Sequence, residues 1–343
     1  MAIDFHREKK QTVYLDPRSN FQERTIESEI RLDPLTGFSG RVAHFHGLTL
    51  PDMDFDALRQ ATEGQFCPFC PENLAQVTPK FPKRLWPQGR IELGNAIVFP
   101  NLSPYDAFSA VTVLTRDHRM PATEFSVEEL ADGLEASVTY FRAVQQIEPQ
   151  VGYCLLNWNY LPVAGASQVH PHMQVFATNT AGNVLYAELE ASTRYAKQTG
   201  RSFWAEYLEQ EEAARERFVG RLGNITWLVP FVPFSIFMDA EAVFEGKSTL
   251  TQLQRTDLID FAEGLKRFFA YMASQHLYGF NLAFYPAEKE DESFWLHARI
   301  SARGWLNPAV NTPDVGTIRH LYNEPYTMIY PEQTAEALRS FFT

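Results

Sequence analysis

The segment SQVHPHMQV, residues 167–175, places two imidazoles one proline apart in a run that otherwise reads as a β-strand. Side chains alternate across a strand, so His170, His172 and Gln174 share one face while Val169, Met173 and Val175 fall elsewhere. Pro171 cannot donate to a ladder, which argues for a strand edge or a local distortion where a cleft can open. A neutral imidazole is an adequate nucleophile near neutral pH and an equally good metal ligand. A polar, solvated strand face has the same pattern. The second stretch with chemistry in it is FCPFCPEN. Cys67 and Cys70 have the spacing at which two thiolates on one turn hold a tetrahedral Zn²⁺. The chain has no second C-x-x-C, so the missing ligands are histidines, and His118 in LTRDHRMP and His170 are the candidates. A redox dithiol is the other reading, but the thioredoxin-like βαβ context is lacking. Cys154 sits in an apolar strand, where a buried, inert thiol is expected.

The elements that must position these groups alternate between strand and helix patterns. NAIVFPN (95–101), SAVTVLT (109–115), GYCLLNWN (152–159) and HMQVFAT (172–178) are rich in β-branched and aromatic residues and predict a sheet. Ser126 followed by Glu129 is a capping-box signature, and the apolar spacing after it predicts a helix over 126–147. The charged, helix-prone segment 184–220 reads as a connection. A second round then begins: strands in 224–239, a long amphipathic helix in 251–276, and strands in YGFNLAFYPA and FWLHARIS. Strand, strand, helix, strand, strand thus occurs twice and predicts two similar α+β halves, 1–183 and 221–343, joined by 184–220.

With 343 residues, 45% of them hydrophobic, the chain can bury a substantial core. The formal charge of −12 argues against nucleic acid as a partner, so an anionic ligand must be gripped locally. No apolar run approaches a membrane span, and the N-terminus lacks an apolar segment after its charges; a cytoplasmic protein is expected. Three cysteines are too few for a disulfide framework.

In their order and spacing these motifs resemble the galactose-1-phosphate uridylyltransferase family, the transferase branch of the histidine-triad superfamily. The resemblance runs through C-x-x-C, F-P-N at 99–101, D-H at 117–118 and N-x5-G-x-S-x2-H-P-H-x-Q from Asn159 to Gln174. In the second half it continues through WLVPF, LHA at 296–298 and the closing PYTMIYPEQTAEALRSF. It implies an α+β fold of two histidine-triad-like halves, each an antiparallel sheet with packed helices. His172 is then the nucleophile that attacks the α-phosphorus of a nucleotide-sugar and passes the nucleotidyl group to a phosphorylated acceptor. Gln174 and Ser167 donate to phosphate oxygens, while Asn101, Asn159, Gly165 and Tyr326 line the substrate site. A structural zinc on Cys67, Cys70, His118 and His170 stiffens the nucleophile's strand, and the molecule is a homodimer.

The departures bear on specificity. Where the family follows P-L-T-G with an arginine-rich phosphate clamp, this chain offers Arg31 and Arg41, with His44 and His46 nearby. The family's Lys-Gly after the Asn159 position is Tyr160-Leu161. The second histidine of L-H-A-H is Arg299 and the upstream one matches Asn281, so a second, iron-type site is not expected and His297 reads as structural. Thr327 replaces the glutamate that contacts the sugar, so galactose is not supported as a substrate. Two alternatives accompany the transferase: a phosphorylase of nucleotide-sugars or dinucleoside polyphosphates using the same histidine, and a catalytically altered nucleotide-binding protein.

Overall fold

The computed structural model describes residues 3–43, 50–62, 64–307 and 312–343. His44 and His46 lie outside the described residues. The chain opens with a long hairpin of β1 (Arg7–Asp16) and β2 (Gln22–Leu32), followed by β3 (Ser39–Val42) and helices α1 (Phe55–Thr62) and α2 (Pro71–Val77). The first half continues with β4 (Ile91–Leu93), β5 (Ala96–Pro100), β6 (Phe108–Val113), α3 (Val127–Ile147), β7 (Tyr153–Tyr160) and β8 (His172–Thr178). Two helices follow, α4 (Asn183–Thr199) and α5 (Phe203–Ala214). The second half repeats the pattern with β9 (Phe218–Leu222), β10 (Ile225–Leu228), β11 (Asp239–Phe244), α6 (Arg255–Ser274), β12 (Gly279–Tyr285) and β13 (His297–Arg303). The chain closes with β14 (Trp305–Asn307), β15 (Thr312–Pro313), α7 (Thr317–Tyr322), β16 (Tyr326–Thr327) and α8 (Pro331–Arg339).

The α+β fold with its internal repeat is present, but the halves do not keep separate sheets. They share one ten-stranded sheet in the order β4-β5-β6-β8-β7-β12-β13-β11-β10-β9, antiparallel at each pairing. The order is the same read from either edge, so a pseudo-two-fold axis passes between β7 and β12 and relates β8 to β13 and α3 to α6. At this seam Asn159 pairs with Asn281 and Asn157 with Ala283.

Alternation along the strands explains the layers. On β7, Cys154, Leu156, Trp158 and Tyr160 are buried while the residues between them are half-buried, and β12 alternates in the same way. The buried rows face α3 and α6 and merge into a single core that crosses the seam. The capping box that starts α3 is formed: the Glu129 N–H donates to Ser126 Oγ at 3.1 Å, and the Ser126 N–H to Glu129 Oε2 at 2.9 Å. The opposite, front face carries the half-buried residues. Over the second half it is sealed by α4 and α5, whose Leu185, Phe203, Trp204 and Leu208 pack on Leu228, Val243 and Phe294.

The connection expected over 184–220 ends as helix at Ala214, because Arg215 adopts the left-handed conformation (φ 53°) at the helix C-cap. Its last residues, from Phe218, are the edge strand β9. β1–β3 form a second sheet completed by β16 from the far end of the chain. Buried Arg31 on β2 fixes this crossing: it pairs with Glu29 at 2.8 Å, with Glu332 through two bonds of 2.9 Å, and donates to the Phe231 carbonyl at 3.1 Å.

A close contact between helix and sheet makes a test of this packing. A Cβ on Gly264 of α6 would meet the Trp227 indole at 2.2 Å, and that indole is fully buried. Glycine to alanine inside a helix ordinarily gains up to about 1 kcal/mol, whereas overpacking costs about 1–3 kcal/mol. Gly264→Ala is therefore expected to lower the urea midpoint. A raised midpoint would show that α6 does not lie on Trp227 in this way.

Candidate active site and metal centre

The C-P-F-C turn, the loop after β6 and the segment before β8 converge on one point. Cys67 Sγ, Cys70 Sγ, one ring nitrogen of His118 and one of His170 all lie within 4.8 Å of one another. Cys70 Sγ is 3.3 Å from His118 Nε2, and both sulfurs are 3.7 Å from His170 Nδ1. A tetrahedral ion with bonds of about 2.3 Å to sulfur and 2.0–2.1 Å to nitrogen would set S···N edges of about 3.5 Å, so the donors stand at ligand spacing. His170 Nε2 donates to the Thr115 carbonyl at 2.9 Å, which leaves the Nδ1 lone pair directed at the sulfurs. Burial lowers the His118 pKa and brings that of His170 down to about 4, so both rings are neutral as ligands must be. Burial, then the neighbouring Cys67, pushes the Cys70 thiol up to about 12. A bound cation reverses that cost by stabilising the thiolate. Within the described residues the set fits a metal ion.

The proline sets where the strand starts. His170 lies ahead of β8 rather than on it, so the expected three-residue polar face reduces to His172 and Gln174, with Met173 and Val175 buried beneath. His172 Nδ1 lies 2.9 Å from the His170 carbonyl. A carbonyl only accepts, so Nδ1 carries the proton and Nε2 the lone pair. Nε2 has no hydrogen-bond partner among the described residues. Burial lowers the pKa of this ring, partly opposed by the bond to His170, so it stays neutral below the ordinary histidine value. Phe69, inside the C-P-F-C turn, lies against it with ring centroids 5.0 Å apart.

Gln174 continues the front face. In register its row runs from Phe99 and Val111 through Gln174 to Asn157, Ala283, Arg299 and Glu241. Asn159, one row on, accepts from the Asn281 amide at 2.7 Å, and the same amide reaches the Ala164 carbonyl at 2.9 Å. These bonds hold the loop that carries Gly165 and Ser167, both exposed, ahead of His170. At the family's Lys-Gly position Leu161 has φ 69° and ψ 158°, a region normally reserved for glycine. Its buried side chain holds it there against the strain.

Asn101 accepts from the Ser103 N–H at 2.9 Å, closing a turn. Tyr326 is on β16 in the other sheet, and Thr327 is buried with its hydroxyl donating to the Ile236 carbonyl at 3.0 Å. Arg31 is consumed by its two glutamates, and Arg41 pairs with Glu324 at 3.0 Å, so neither is a free phosphate clamp.

The pseudo-two-fold answers His172 with His297 and Gln174 with Arg299. His297 repeats the local geometry, its Nδ1 lying 3.0 Å from the carbonyl of Trp295 two residues back. Its ring, however, is stacked between Trp204 (4.2 Å) and Tyr285 (4.9 Å), and Nε2 faces buried Glu188 at 3.3 Å. Arg299 bonds Glu188 and, at 2.9 Å, Glu241. Between the two centres, in front of the seam, lies a cavity of about 350 Å³ bordered by Asn157, Asn159, Asn281, Tyr285 and Arg299. Asn157 was missed in the sequence although the two-residue period places it on the same face as Asn159. Glu188 carries no such signal, because one glutamate in a charged helix looks like any other.

No model of a protein family matches the chain. It is 27% identical over 327 residues to an uncharacterized protein of Archaeoglobus fulgidus, the match covering 92% of each chain. It is also 27% identical over 209 residues to the galactose-1-phosphate uridylyltransferase of Neurospora crassa, covering 57% of this chain and 52% of that one. Among solved structures, a GalT-like protein from Arabidopsis thaliana superposes with a TM-score of 0.68 at 18% identity, covering 91% of this chain and 98% of that one. A uridylyltransferase superposes at 0.66 with 20% identity, and an Arabidopsis thaliana ADP-glucose phosphorylase with bound ADP-glucose at 0.66 with 18%, both covering 91% of this chain and 98% of theirs. The likeness establishes the fold.

If the Cys and His cluster is a structural metal site, purified protein carries close to one metal ion per chain, and Cys67→Ser loses it. Because the binding energy of such a site is folding energy, on the order of 10 kcal/mol, the variant is expected to lose at least about 3 kcal/mol in urea unfolding. Metal-free wild type, or equal midpoints, would overturn the assignment.

Proposed function

We propose that this chain, whose fold is that of the galactose-1-phosphate uridylyltransferase-like proteins of the histidine-triad superfamily, is a nucleotidyl-transferring enzyme that works through His172. The observation that carries the reading is the state of this one ring. Its proton is committed to the His170 carbonyl on Nδ1, and Nε2 presents an unshared lone pair. In the first half-reaction Nε2 attacks the α-phosphorus of a nucleoside diphosphate sugar, a P–N bond forms, and the P–O bond to the sugar 1-phosphate breaks. The ring becomes positively charged, and the Nδ1–H···O=C bond strengthens as it does so. Gln174, two residues along the same face, donates its amide to a non-bridging phosphoryl oxygen, and Ser167 can reach the neighbouring phosphate from its loop. In the second half-reaction a phosphate oxygen of the acceptor attacks the same phosphorus and the P–N bond breaks. A sugar phosphate and inorganic phosphate bring the same nucleophile, so transferase and phosphorylase share every step up to the acceptor.

Zn²⁺ suits the two sulfurs and two nitrogens of Cys67, Cys70, His118 and His170. Held by these four residues, it would contribute rigidity to the turn, loop and strand start that carry them. A homodimer is supported by the β1–β2 hairpin, which leaves Val13, Leu15 and Phe21 57%, 60% and 64% exposed. Free thiols at the metal site suit a reducing, cytoplasmic compartment. No helix among the described residues is long and apolar enough to cross a membrane.

Incubated with a nucleoside diphosphate sugar and no acceptor, wild type is expected to gain the mass of one nucleoside monophosphate on His172, read by intact-protein mass spectrometry and peptide mapping. UDP-, ADP- and GDP-hexoses are all tried. His172→Gly abolishes the adduct, and Gln174→Ala slows its formation by about 10²-fold, the scale of losing one donor to a developing oxyanion. Retained labelling in His172→Gly would reject the assignment. Chasing the adduct with hexose 1-phosphates and with inorganic phosphate separates transferase from phosphorylase.

A further inference from the structure

We infer that the cavity in front of the seam is the seat of the sugar, a neutral polyhydroxylated ring, and that Asn157 and Ser301 are its hydrogen-bonding partners. The inference rests on the nucleotidyl-transfer reading, because it places the sugar relative to His172. Position comes first. Asn157 is the register neighbour of Gln174, and neighbouring strands lie about 4.8 Å apart. The cavity therefore begins one strand from the residue that flanks the nucleophile, where the group attached to the departing phosphate must lie. Its volume of about 350 Å³ falls in the range of small-molecule sites, roughly 300–1,000 Å³.

The lining selects the chemical class. Ser301 borders the cavity and is only 7% exposed, yet its hydroxyl has no partner among the described residues, and neither has the Asn157 amide. Both groups are therefore open to a ligand that can donate and accept at each of them. The cavity is unsuited to a phosphate at its centre, because the Arg299 charge is already shared between Glu188 and Glu241. It is equally unsuited to a flat base on Tyr285. One face of that ring is taken by Arg299, 4.6 Å from the centroid, and the other by His297. What remains is an apolar wall that includes Phe38, Val184, Val232 and Leu282, which suits the C–H faces of a sugar ring, beside amides and hydroxyls that can each donate and accept, as sugar hydroxyls require. Arg319 also borders the cavity and has no ion pair among the described residues, which leaves it available to the sugar's phosphate.

The test compares two donors with the same α-phosphorus: a nucleoside diphosphate hexose, and the p-nitrophenyl ester of the same nucleoside monophosphate, which has no sugar leaving group. Asn157→Leu and Ser301→Ala are expected to raise the KM of adduct formation with the hexose donor at least tenfold, while labelling by the aryl ester changes less than twofold. Hexose KM values within twofold of wild type would overturn the inference. So would equal losses with both donors, which would place these residues at the nucleotide end. If wild type forms no adduct with any donor, the nucleotidyl reading fails by itself. The cavity is then judged by calorimetry with glucose 1-phosphate and galactose 1-phosphate: binding weakened tenfold in Asn157→Leu upholds the sugar seat, and no binding by wild type overturns it.

Discussion

His170 is tied at three points, and the front of the first half depends on those ties. Its Nε2 donates to the Thr115 carbonyl, its Nδ1 faces two sulfurs, and its carbonyl accepts the Nδ1 proton of His172. One residue thus couples the Cys and His cluster to the orientation and tautomer of the His172 ring. The C-P-F-C turn contributes twice, with its sulfurs beside His170 and with Phe69 against the His172 ring. A cation in this cluster would order a turn, a loop and a strand start together, without itself meeting substrate.

The continuous sheet explains why only one half keeps an open centre. The pseudo-two-fold places His172 and His297 at equivalent positions, and both hold Nδ1 on a carbonyl two residues back. α4 and α5 bring Trp204 over His297 and Glu188 against its Nε2 in the second half. Gln174 and its twin Arg299 are three strands apart in register, about 14 Å. The same backbone design therefore yields, at one position, an imidazole whose Nε2 has no partner among the described residues and, at the other, a sealed ionic and aromatic cluster. The cavity lies between them.

Electrostatics narrows how substrate is held. The chain carries a formal charge of −12, and arginines near the front face are spent on protein carboxylates: Arg31 on Glu29 and Glu332, Arg41 on Glu324, Arg299 on Glu188 and Glu241, Arg303 on Asp314. Arg31, Arg299 and Arg303 are buried or nearly so, and removing a partner would leave an uncompensated charge, which fixes them in structural roles, whereas Arg41, 45% exposed, is held by a surface pair.

The sequence by itself determined the elements and the chemistry of the short motifs. β8 starts and ends where HMQVFAT does, α3 begins at its Ser126 cap, and the two thiols and two imidazoles named from spacing and resemblance come together, because these features are local or strongly periodic. Tertiary structure alone decided which polar residues are free. Arg31 looks like a ligand on paper, but a glutamate 301 positions away claims it. The fusion of the halves into one sheet, the docking of β1–β3 on the second half and the pairing of Asn159 with Asn281 all rest on contacts between residues far apart in the chain. No local pattern records such contacts, since hydrogen bonding and burial are satisfied only after the chain has closed on itself.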